Sequence, residues 1–195
     1  FQPAEKSIQR ESLGLKSDIL TIGIVATLRS WKGHRYLLEA FSQLVGDFPI
    51  QLLIVGDGPQ DESLKSFAEE LGVTESVVFA GRQENVENWM QAMDVFCLPS
   101  YANEGVPQSL MQAQACGLPV ITTAVGSIEE AVIQNKTALI VKPKDVFSLK
   151  KALELLLTDK NKREDMAAQA AMLAHENFSL QSMLDDMETL FKRFN

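Results

Sequence analysis

The chain has 195 residues, with 18 Lys+Arg against 26 Asp+Glu, a formal net charge of −8 and 46% hydrophobic residues. That balance supplies one sizeable core and excludes intrinsic disorder, which goes with few apolar residues and high charge. A pI near 4.8 argues against a nucleic-acid binder, which needs clustered Lys and Arg to meet phosphates.

No apolar run approaches the length that spans a bilayer, and the N-terminus lacks the basic-then-apolar order of a signal peptide. Cys97 and Cys116 sit in apolar or helical surroundings without metal-ligand spacing. They read as reduced core thiols of a cytoplasmic protein. The first residue is Phe1 rather than Met, so the chain is expected to be a piece of something longer.

In chain order, a polar lead-in (2–17) precedes a continuous apolar, β-branched run at 19–26. Such runs suit strands buried on both faces. Similar runs follow at 51–55, 76–80, 94–98 and 120–124, with a weaker one at 138–141. Between them lie helical patterns: Tyr36, Leu37, Ala40, Phe41 and Leu44 share one face, as do Leu64, Phe67, Ala68 and Leu71. This alternation predicts an α/β fold, a Rossmann-like, doubly wound parallel sheet over 18–145. Beyond Val146 only helices are predicted, over 147–158, 161–177 and 179–194, as a tail beside the sheet or reaching to a neighbour. The whole of 1–195 reads as one domain.

Ligands of such sheets bind beyond the carboxyl ends of the strands, which directs attention to the loops at 27–33, 56–59, 81–85, 99–107 and 124–127. The first carries Arg29 and Lys32 and ends in Gly33 at a helix start, an anion site in composition or an ordinary solvated loop. Gly56-Asp57-Gly58-Pro59 is turn chemistry first. The richest stretch is 99–119. There Glu104-Gly105-Val106 precedes Pro107, read as the first residue of a helix, with amides from Gly105 to Leu110 expected to face the cleft. Gln108 and Gln112 share one face a turn apart. Taken alone, Glu104 is equally a helix-start carboxylate.

His34 and His175 lack partners at ligand spacing and are assigned surface or capping roles. Met90, Met93 and Met111 are assigned to core gaps, and Trp31 to packing or to covering a ligand face. The tail carboxylates Asp185, Asp186 and Glu188 read as a solvated helix face. No Asp-x-Asp pair falls in a strand-end loop, so no obligatory metal or other cofactor is expected.

The motifs that remain resemble those of one family. Lys32-Gly33, Val55-Gly56-Asp57-Gly58-Pro59, Phe79-Ala80-Gly81, Ala92-Met93-Asp94, Leu98-Pro99-Ser100, Glu104-Gly105-Val106-Pro107 and the 115–120 stretch leading to Gly126 follow in order. Together they resemble the C-terminal half of a GT-B glycosyltransferase of family 4, the group 1 glycosyl transferases.

The resemblance, covering about 19–143, implies the donor half of a two-domain enzyme, with residues 1–17 leading in from an N-terminal acceptor domain of the same polypeptide. It implies a retaining sugar transfer from a nucleotide diphosphosugar (UDP-sugar favoured, GDP-sugar the alternative) to a glycan or lipid-linked acceptor in bacterial envelope polysaccharide synthesis, lipopolysaccharide included. No nucleic-acid partner is implied, and any membrane contact would run through the other half, at the inner face of the membrane.

Carried over residue by residue, Lys32 holds the donor diphosphate and Glu104 contacts the sugar. Gly105, Val106, Pro107, Gln108, Ser109 and Leu110 offer backbone groups to sugar hydroxyls and the distal phosphate, and Arg82 and Gln83 lie against the base. Two positions depart from the family pattern. Gln112 stands where a second glutamate binds ribose, and Thr27 where an arginine helps the lysine; Arg29 is expected to supply that cation. A non-catalytic nucleotide-sugar module and a sugar-nucleotide epimerase are the alternatives. A flavodoxin-like receiver fits poorly, because the first strand runs into Thr27-Leu28-Arg29-Ser30 rather than an acidic cluster.

Overall fold

The computed structural model describes residues 1–192, apart from the side chains of Ser7, Ile8, Asp185, Asp186 and Thr189. Six strands form one parallel sheet: β1 (Leu20–Val25), β2 (Ile50–Val55), β3 (Val77–Gly81), β4 (Val95–Leu98), β5 (Val120–Thr123) and β6 (Ala138–Val141). They lie in the order β3-β2-β1-β4-β5-β6, the Rossmann-like arrangement expected. The order reverses between β1 and β4, which pair through Ile22–Val95 and Gly23–Phe96. A crevice therefore opens beyond their carboxyl ends.

The strands are buried because helices cover both faces of the sheet. β2 and β4 are buried at every position, which is why they read as largely apolar runs rather than alternating ones. One polar residue inside β2 is fully used. Gln51 donates through Nε2 to the Lys16 carbonyl and to Thr21 Oγ1, both at 2.8 Å, and accepts from the Lys16 amide at 3.2 Å. Gly23 in β1 leaves room for Met93, whose Sδ would stand 2.2 Å from a Cβ there. Met90 and Met93 are fully buried and Met111 is partly buried against the core, as core gap-fillers should be.

The helices are α1 (Lys6–Ser12), α2 (His34–Ser42), α3 (Asp61–Glu70), α4 (Val86–Gln91), α5 (Gln108–Ala115), α6 (Val146–Thr158), α7 (Lys160–Asn177) and α8 (Leu180–Lys192). The tail is helical as expected, the last expected residues, 193 and 194, lying outside the described ones. α6 packs on α2 and α7 on α5. Asp145 and Asp159 cap α6 and α7, accepting from the Ser148 and Lys162 amides at 3.0 and 2.9 Å. Glu188 pairs with Lys192 on the helix surface at 2.7 Å, while the side chains of Asp185 and Asp186 lie outside the described residues. α8 exposes a stripe of Leu180, Met183, Leu184, Met187 and Phe191. No described helix is long and apolar enough to cross a membrane.

Two expectations are corrected. The lead-in is not merely a polar approach, because it forms α1, packed against α4. Its Arg10 is buried, donating to the Ala92 carbonyl at 2.9 Å and to the Asp94 carboxylate, which also accepts from the Thr21 amide at 2.7 Å and Lys6 at 3.1 Å. His34, expected at the surface or as a cap, is 2% exposed with neither ring nitrogen hydrogen-bonded. It opens α2 on the face that turns inward with Leu37, Leu38 and Phe41. Burial, with Lys32 adding repulsion, lowers its pKa to about 4 and keeps the ring neutral. His175 is exposed on α7.

Both cysteines are free and buried. Burial pushes the Cys116 thiol up to about 12 and Cys97 higher still, so neither is a reactive thiolate.

Candidate functional site

The loop after β1 crosses to the loop after β4 above the point where strand order reverses. Gly33 makes that crossing possible. Its φ is +82°, and a Cβ there would lie 2.1 Å from the Pro99 carbonyl oxygen, so only glycine lets the two loops touch. The second loop is pinned on several sides. The Tyr101 amide donates to the Trp31 carbonyl at 2.8 Å, its ring meets Tyr36 edge-on at 5.9 Å, and Thr123 Oγ1 donates to the Ser100 carbonyl at 2.5 Å. Gly126 closes in beneath Glu104 with φ +62°.

This scaffold brings together residues 72 positions apart. Lys32 Nζ donates to both carboxylate oxygens of Glu104, at 2.7 and 2.9 Å, and Ser100 Oγ donates to Oε1 at 2.5 Å. The Glu104 side chain is 4% exposed and that of Lys32 20%. A pair this desolvated is held by charge-assisted hydrogen bonds rather than by a loose surface attraction. The sequence named both partners but gave no sign of Ser100's part in holding Glu104, beyond its place in a family motif.

Beside the pair lies a cleft of about 480 Å³ at the carboxyl ends of the strands. Thr27 and Lys32 enter it after β1, Gly56 and Asp57 after β2, and Arg82 and Gln83 after β3; Pro107, Gln108, Ser109 and Gln112 line its far side. Arg82 is exposed, whereas Gln83 is fixed by donating to the Ala80 carbonyl at 2.6 Å. The Gly56–Pro59 turn is structural, as its composition suggests: Asp57 accepts from the Leu28 amide at 2.8 Å through its carbonyl. Its Asp57 side chain nevertheless adds a cleft carboxylate that turn chemistry gave no reason to expect.

Pro107 stands one residue earlier than expected, as the N-cap of α5. The amides of Gln108 and Ser109 make no backbone hydrogen bond, so the start of α5 presents free donors and a partial positive charge. Leu110 departs from expectation, with its side chain fully buried and its amide donating back to the Pro107 carbonyl at 3.1 Å. Gly105 and Val106 are exposed beside the cleft but do not line it.

Arg29 also falls elsewhere. Its guanidinium lies 5.7 Å from the centre of the Trp31 ring, and it lines a separate small cavity with His34, Tyr36 and Tyr101. The cation near Thr27 is therefore Lys32 without Arg29. Arg29 lies two residues on from Thr27, in extended backbone just before a single 3-10 turn at Ser30–Lys32.

A larger apolar groove, about 700 Å³, runs between Pro3, Met111, Ala171 and Phe178. No Lys or Arg lines it, whereas Lys32 and Arg82 line the smaller cleft, so the charge-handling chemistry belongs to the smaller cleft. Among the described residues no three His, Cys, Asp or Glu side chains gather as a metal-ligand set.

Comparison with known proteins agrees with this architecture. Residues 5–172 match the model of the family described as glycosyl transferases group 1. The chain is 36% identical over 172 residues to a D-inositol 3-phosphate glycosyltransferase of Corynebacterium urealyticum, covering 83% of this chain and 40% of that protein. Sucrose-phosphate synthase from Thermosynechococcus elongatus superposes with a TM-score of 0.88 at 26% identity, over all of this chain and 49% of that one. HepE of Anabaena in complex with UDP gives 0.88 at 25% identity, over 98% and 54%. The chain thus spans about half the length of the relatives it matches. On this match and this fold, the chain belongs to the group 1 glycosyl transferases.

Proposed function

We propose that the chain is the donor-binding half of a retaining glycosyltransferase that uses a nucleotide diphosphosugar. The observation that carries this reading is the meeting of Lys32, Glu104 and the free amides of α5 at the edge of one cleft where strand order reverses. A diphosphate fits between the Lys32 ammonium and the Gln108 and Ser109 amides, the sugar hydroxyls fit Glu104, and the base lies toward Gly81, Arg82 and Gln83. Gln112 faces the ribose with one donor and one acceptor but no charge.

In this reading transfer passes through an oxocarbenium-like transition state, and the chain's share is stabilising charge that builds on the departing diphosphate. Preorganised donors do this without reorganisation at the moment of bond breaking. Lys32 and the α5 amides carry that charge in place of a divalent cation. Glu104 positions the sugar rather than attacking it, since its carboxylate is already held by Lys32 and Ser100. The acceptor, a glycan or lipid-linked sugar of envelope synthesis, is assigned to a second domain, and the exposed stripe on α8 is apolar surface suited to contact it. UDP-sugar is the favoured donor, supported by the UDP complex of the structurally similar HepE.

Calorimetric titration of the chain with UDP, GDP, ADP and their sugar conjugates tests the reading. Binding of one nucleotide series, abolished in Lys32→Ala, supports it. Binding unaffected by Lys32→Ala contradicts it.

A further inference from the structure

Glu104 is unusual among the groups around the cleft in being almost wholly desolvated while carrying its charge into the contact with Lys32. Its side chain is 4% exposed, and its hydrogen-bond donors are the Lys32 ammonium at 2.7 and 2.9 Å and the Ser100 hydroxyl at 2.5 Å. A ligand phosphate that draws Lys32 toward itself weakens the main counter-charge of a buried carboxylate. That loss is costly unless new donors replace it.

We propose that the Lys32–Glu104 pair makes the site discriminate between a sugar-bearing nucleotide and the nucleoside diphosphate that remains after transfer. The inference rests on the reading of Lys32 as the diphosphate group and Glu104 as the sugar group. Two effects act in the same direction. A nucleotide-sugar brings hydroxyls that donate to Glu104 as Lys32 turns to the diphosphate, so the exchange leaves neither partner bare. A nucleoside diphosphate takes Lys32 and returns nothing.

The second effect is charge. A terminal phosphate has its second ionisation near pH 6, so it carries close to two charges at neutral pH, against one when esterified to a sugar. Glu104 repels the former more strongly at close range. The same carboxylate therefore holds the substrate and weakens the grip on the leaving product.

The test is calorimetry of the chain and two variants with UDP, UDP-glucose, GDP and GDP-mannose. Glu104→Gln removes the charge and releases Lys32. It tightens the nucleoside diphosphate and weakens the sugar conjugate, narrowing their affinity ratio by about tenfold, the scale of one charge-assisted hydrogen bond. Lys32→Gln leaves Glu104 unpaired except by Ser100; it weakens both ligands but the nucleoside diphosphate more, so the ratio widens. Thermal melts report whether each variant folds, and Lys32→Gln alone carries the test should Glu104→Gln unfold. Ratios unmoved in a folded variant, or moved the opposite way, overturn the proposal while leaving the donor site in place. Failure of the unaltered chain to bind any of the four removes the donor-site reading, and this proposal with it.

Discussion

Gly126 lies so close beneath Glu104 that a Cβ on it would stand 1.9 Å from the Glu104 carbonyl oxygen. The contact ties the loop after β5 to the loop after β4, and the orientation of Glu104 toward Lys32 depends on it. Gly126→Ala must displace that backbone and also strain a φ of +62°. The variant is expected to keep the sheet, by circular dichroism, but to bind a nucleotide-sugar about tenfold more weakly by calorimetry. Unaltered binding would show that Glu104 tolerates being moved.

Arg82 and Arg29 separate a cleft cation from a neighbouring one. Arg82 lines the cleft and Arg29 lies along Trp31 in another cavity. Arg82→Ala is expected to weaken nucleotide binding by up to about tenfold, whereas Arg29→Ala changes it by less than about twofold. Equal losses in the two variants would return Arg29 to the site.

Arg10 anchors α1 by burying its guanidinium against Asp94 and the Ala92 carbonyl. Arg10→Ala leaves Asp94 buried with only Lys6 as a cationic partner. The expected cost is about 3 kcal/mol, as for other broken buried pairs, read from the midpoint of urea unfolding at constant slope. A loss of only a few tenths of a kcal/mol would mean that α1 is not part of the cooperative unit.

His34 makes stability pH-dependent. Its folded pKa of about 4 lies below the ordinary value near 6.5, so the unfolded chain binds the proton more readily between these values. Stability from this group is fully present above about pH 6.5 and declines as pH falls toward 4, by about 3 kcal/mol in all. Comparing unfolding at pH 7 and pH 4.5, His34→Leu should flatten this part of the profile, leaving the carboxylates' share. An unchanged profile would mean that the ring is not held neutral by burial.

The sheet was legible because strands covered on both faces need mostly apolar side chains, and β1, β2 and β4 have them. The cleft was legible for Lys32, Gln108, Ser109 and Gln112, since strand ends and helix starts determine where such groups fall. Other features were not legible, each for its own reason. α1 is polar because its stabilising contact is an arginine on a buried carboxylate, which hydrophobic periodicity does not register. The burial of His34 is hidden because a lone polar residue at a helix start is ordinarily solvated, whereas here the tight crossing at Gly33 turns it inward. Leu110 looks like its neighbours in sequence, but the helical turn that starts at Pro107 spends its amide on the Pro107 carbonyl and sends its side chain into the core.

Crystal structures of the chain grown with UDP-glucose and, separately, with GDP-mannose decide whether the cleft beside Lys32 and Glu104 holds a nucleotide-sugar. The expected result is a bound diphosphate within hydrogen-bonding distance of Lys32 and the first amides of α5, the sugar hydroxyls on Glu104 and the base beside Gly81, Arg82 and Gln83. A nucleotide seated instead in the apolar groove between α5 and α7, or a diphosphate turned away from Lys32, would contradict it.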